Sequence, residues 1–121
     1  METTLAYLNE IVNDTTIKIT PQETQQNPSQ SSDYSNTYFK TIGGAVKTIY
    51  PRSNVSPFLM LGATDSRHFD GLSNKIYKFA PFVYSQDDLA LLHGINEKIS
   101  IENFNKGIQI YYMSMKNIDD I

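Results

Sequence analysis

The chain holds two histidines, His68 and His93, and two arginines, Arg52 and Arg67. Arg67 and His68 share the polar segment GATDSRHFDGLSN (62–74), and His93 lies in LLHGINEKIS (91–100). A neutral imidazole can hold a metal ion or move a proton near neutral pH. The planar guanidinium of an arginine matches a carboxylate with two parallel hydrogen bonds. With no cysteine in the chain, thiolate nucleophiles, disulfides and cysteine-based zinc sites are excluded, so any metal must be held by His, Asp or Glu.

The elements that must position these groups fit into one small domain. The chain has 121 residues, 40% hydrophobic and 19% charged, enough apolar material for a core but too little length for a second full domain. Thirteen acidic against ten basic residues give a net charge of -3, and neither sign forms a run, so no nucleic-acid partner is expected. No apolar stretch approaches the ~20 residues of a spanning helix, so no membrane segment is expected in this chain. METTLAYLNE also lacks the basic start of a secretory leader.

Periodicity then divides the chain. Leu5, Leu8, Ile11 and Val12 predict a short helix, and the β-branched alternation Thr16-Ile17-Lys18-Ile19-Thr20 predicts a strand ended by Pro21. Residues 21–35, rich in Gln, Ser and Pro, read as a polar linker. Tyr38, Ile42, Ala45, Val46 and Ile49 mark a helix stopped by Pro51, with Gly43-Gly44 permitting close packing or a bend. The run VSPFLML (55–61) has the pattern of a strand covered on both faces, and Ile76-Tyr77-Lys78-Phe79 that of a second. Ser85 to Asp88 has the form of a capping box, and Gly94 can stop the helix it opens. A last helix from Ser100 carries Phe104, Ile108, Tyr111, Tyr112, Met115 and Ile118 as its expected core face. Strand and helix alternate after residue 37, which predicts an α/β fold with a partly parallel sheet.

The segments LGATDSRHF (61–69), YKFAP (77–81) and LLHGINEKIS (91–100), in this order before an aromatic amphipathic helix, resemble the C-terminal end of one zinc peptidase family. It comprises aminoacylase, carboxypeptidase S, Gly-X carboxypeptidase and succinyl-diaminopimelate desuccinylase. The resemblance covers about residues 56–112. It implies an α/β architecture in which residues 1–20 are the last helix and strand of a lid or dimerisation domain, 21–35 cross between domains, and 36–121 form the C-terminal part of a catalytic domain, a sheet flanked by helices.

The resemblance implies further that His93 is a zinc ligand in a parent enzyme that holds two zinc ions. It implies that the backbone at Gly62, Ala63 and Thr64 approaches substrate, and that Arg67 contacts a substrate carboxylate or pairs with Asp65. His68, Asn96 and Glu97 are read as packing or supporting residues; for Asn96 and Glu97 that means capping the final helix or orienting the His93 loop. The family's general base is one of a Glu-Glu pair, and this chain has none. The expectation is therefore a C-terminal fragment of a hydrolase of peptide or N-acyl amide bonds, inactive and without zinc by itself, and prone to self-association. The alternative is a non-catalytic association module or a relic of such an enzyme.

Overall fold

The computed structural model describes residues 2–21, 28–62 and 64–121. They divide into two units, residues 1–30 and 31–121. In the first, helix α1 (Glu2–Val12) buries none of its residues. A turn follows in which the Asp14 carboxylate accepts from the Thr16 backbone N–H (2.8 Å) and hydroxyl (2.6 Å). These bonds hold Asp14 below the usual carboxylate range, the hydroxyl bond contributing most.

The second unit is built on α2 (Thr37–Ile49) and α4 (Ile101–Asp119), with the short α3 (Gln86–Leu91) between them in sequence. Each begins where a side chain replaces a missing helical acceptor. Asn36 Oδ1 accepts from Phe39 N–H at 3.1 Å and Ser100 Oγ from Asn103 N–H at 3.1 Å. At α3 the capping box is complete: Ser85 Oγ accepts from Asp88 N–H, and the Asp88 carboxylate accepts from Ser85 N–H and hydroxyl. The Ser85 hydroxyl, then its N–H, holds Asp88 below the usual carboxylate range.

Helices α2 and α4 pack on each other, and the buried positions are Gly43 and Ala45 on α2, and Gly107, Ile110 and Ser114 on α4. Gly107 lets the Phe82 ring lie against the helix, for a Cβ there would come within 2.2 Å of a ring carbon. This contradicts the expected core face of the last helix. Phe104, Ile108, Tyr111, Tyr112 and Met115 are exposed, and the buried stripe runs one step around the helix through residues that are mostly not apolar.

The expected α/β sheet is overturned as well: no strand occurs among the described residues. The stretches 16–20, 55–61 and 76–79 all lack a ladder. An extended backbone directs its N–H and C=O groups sideways and becomes a strand only with a neighbour to receive them. Around 76–83 side chains take that place. Ser32 Oγ accepts from Ile76 N–H (2.9 Å) and donates to its carbonyl (2.8 Å). The Asn103 amide does the same for Val83 at 3.0 and 2.7 Å. Tyr111 adds a hydroxyl to the Phe79 carbonyl at 3.1 Å.

Candidate functional site

The TDSR segment folds into a single 3₁₀ turn, Asp65–Phe69. Thr64 starts it by accepting from Ser66 N–H at 3.3 Å, with the two hydroxyls bonded at 2.6 Å. Thr64, Asp65, Arg67 and His68 are all exposed. Arg67 Nε donates to His68 Nε2 at 3.4 Å, and no ion pair joins it to Asp65 among the described residues. The guanidinium is thus left with further donors facing solvent. The Gly62 carbonyl accepts from Lys78 Nζ at 3.4 Å; Ala63 lies outside the described residues.

The second segment starts where α3 ends. Leu92 is its C-cap with extended backbone, and the residue that turns left-handed is His93, at φ 60°, rather than Gly94. The glycine signal for a helix stop is displaced by one residue. Left-handed backbone costs a residue with a Cβ about 1–2 kcal/mol, and it persists in a non-glycine residue where the surroundings over-determine it. Here two hydrogen bonds do so: Gly94 N–H to the Leu91 carbonyl (2.9 Å) and His93 N–H to Glu97 Oε2 (3.0 Å). Asn96 is also left-handed at φ 67°, a conformation Asn tolerates better than most residues. His93 itself is exposed.

Glu97 Oε2 accepts from His93 N–H at 3.0 Å. Capping of α4 belongs to Ser100, and the Glu97 carboxylate turns back onto His93. Among the described residues no hydrogen bond or ion pair links the Arg67 turn to the His93 loop, and no group of three His, Asp or Glu side chains is gathered where a metal could sit. The described residues therefore do not make a zinc site by themselves. His93 offers one imidazole, and one ligand falls short of the three or four that zinc takes from protein.

One cleft, about 740 Å³, is lined by Tyr38, Ile42, Tyr77 and residues 70–75. A second cleft of about 540 Å³ is formed by Val46, Ile49, Phe79, Phe82 and Ile110, with Arg52 and Ser53 also on its wall. Neither contains His93 or Arg67. No helix among the described residues is long and apolar enough to cross a membrane.

A probable carboxypeptidase S-like protein of Dictyostelium discoideum is 30% identical over 113 residues, 93% of this chain and 22% of that protein. The chain belongs to the carboxypeptidase S-like family. Within it, an N-fatty-acyl-amino acid synthase/hydrolase of Danio rerio is 41% identical over 81 residues, 67% of this chain and 16% of its own length. The Homo sapiens protein of the same name is 30% identical over 93 residues, 76% of this chain and 18% of its own. The chain spans about a fifth of the length of these carboxypeptidase S-like relatives. No family model matches it, and no solved structure does.

Proposed function

We propose that this chain is the C-terminal part of a zinc-dependent carboxypeptidase or amidohydrolase that cleaves a peptide or N-acyl amide bond next to a substrate carboxylate, and that it does not catalyse alone. The observation that carries the reading is the HGINE loop. It presents an exposed imidazole from a left-handed residue in a chain whose relatives are named carboxypeptidases and N-fatty-acyl-amino acid hydrolases, while no second or third ligand is gathered beside it.

In this reading His93 contributes one ligand nitrogen to a two-zinc set whose other members lie outside residues 1–121. Arg67, with donors free on an exposed turn, receives the substrate carboxylate, and the backbone at Gly62, Ala63 and Thr64 lies along the substrate. Asp65, His68 and Asn96 shape the two loops. The boundaries 1–20, 21–35 and 36–121 stand as proposed limits of a lid end, a crossing segment and a catalytic portion.

The test is a chimera in which these residues replace the matching segment of a Dictyostelium or Danio relative. The chimera should hydrolyse an N-acyl amino acid, and His93→Ala should abolish turnover without unfolding the protein. Undiminished activity in His93→Ala refutes the assignment. A second reading, a non-catalytic association module, draws on the exposed apolar residues Phe58, Leu59 and Leu61 (84%, 68% and 89% exposed). It predicts self-association of the isolated chain and an inactive chimera.

A further inference from the structure

We infer that Glu97 is the positioning residue of His93: by accepting the His93 backbone N–H it fixes the direction in which the imidazole is presented. The inference rests on the reading of His93 as the functional imidazole and specifies what holds it. His93 N–H points to Glu97 Oε2 at 3.0 Å, across a loop of three residues. The loop can close in this way because Asn96, just before Glu97, is left-handed at φ 67° and reverses the chain.

His93 carries a Cβ, which makes left-handed backbone costlier for it than for the glycine beside it. Gly94 stands next to it and would take φ above zero without penalty, yet φ is positive at His93 and not at Gly94. If the backbone alone governed the turn, the glycine would occupy that point. The observed arrangement puts a Cβ, and with it the imidazole, at the position where the chain leaves α3. A non-glycine residue stays there when other groups hold it, and the Glu97 carboxylate is the one side chain that does so, beside the Gly94 N–H bond to the Leu91 carbonyl. Nor is Glu97 committed elsewhere: Ser100 caps α4, and the ion pair of the first turn of α4 belongs to Glu102 and Lys106. Among the described residues nothing hydrogen-bonds the His93 ring, so its orientation is set through the backbone.

The experiment is NMR of the 121-residue chain as wild type, Glu97→Ala and Glu97→Gln. Wild type should show left-handed chemical shifts at His93 and slowed exchange of its amide. Glu97→Ala should move His93 to ordinary shifts and speed that exchange about tenfold, while the amides of Asn103 and Phe104 at the start of α4 stay unchanged. Glu97→Gln keeps a carbonyl acceptor and should restore the left-handed signature. Left-handed shifts that survive in Glu97→Ala overturn the inference, as does an equal loss at Asn103 and Phe104, which would make Glu97 a support of the helix. Zinc chloride added to the same wild-type sample reads the ligand assignment separately. Shifts centred on His93 support it, and shifts centred on His68 alone overturn it whatever the loop shows.

Discussion

Helices α2 and α4 and the extended run 55–61 belong to the same unit, but their surroundings differ completely. The helices bond their own backbones and pack on each other, with Gly43, Ala45, Gly107 and Ile110 buried. The run exposes Phe58, Leu59, Met60 and Leu61, and no backbone bond among the described residues gives it a neighbour. At its start Val55 sits over Gly43, where a Cβ would come within 3.1 Å of it. The difference teaches that a helix is completed by local sequence, whereas a strand is completed by another strand. A segment with the composition of a covered strand and no cover is a half-made interface.

The largest effect that can break this comparison comes from the helix pair. Ile110, fully buried at 0% exposure, should cost about 2–5 kcal/mol when cut to alanine, read from denaturant unfolding. A loss below ~1 kcal/mol would mean that α2 and α4 do not form the unit's core. Next comes Gly107→Ala. Helix propensity favours alanine by about 1 kcal/mol, but the new Cβ collides with Phe82, and overpacking typically costs about 1–3 kcal/mol. Net destabilisation is expected, with loss of the Phe82–Phe104 stacking at 6.4 Å. Net stabilisation would show that Phe82 does not rest on α4.

Smaller effects sharpen the picture. Asp88 has its folded-state pKa depressed by Ser85, so its capping contribution is fully present above the unfolded carboxylate value of about 3.9 and disappears as pH falls through the lower folded value. Amide exchange at Ser85 should therefore rise at acid pH, and in Asp88→Asn that pH dependence should vanish. Smallest of all, Phe58→Ser should change unfolding free energy by within about 0.5 kcal/mol, as surface substitutions do, while lowering any self-association measured by light scattering. A cost of several kcal/mol would place Phe58 in a core.

The same contrast explains what could be read from residue order alone. The four helix positions, the Ser85 to Asp88 capping box and the stop at Pro51 follow from local rules of capping and period, and the structure has each of them. The strands at 16–20, 55–61 and 76–79 rest on rules that presume a partner, and none of the three forms a ladder here. The face of α4 was misplaced because Gly107 and Ser114 carry no hydrophobic signal; at Gly107 the missing side chain makes room for the Phe82 ring. In the site, His93 and Arg67 stood out by chemistry, and the family resemblance of their segments is borne out by the carboxypeptidase S-like relatives. The backbone bond from His93 to Glu97 had no signature beyond the proximity of the two residues, and Gly94 drew attention away from the residue that turns.

The central claim is that this chain brings one imidazole to a zinc site completed by residues outside it. The direct measurement is the metal content of the purified 121-residue chain after equilibration with zinc and removal of the excess. A lone exposed histidine holds metal weakly, so the account predicts zinc far below one ion per chain. One or two tightly held ions per chain, lost in His93→Ala, would show that the site is complete within these residues and would contradict it.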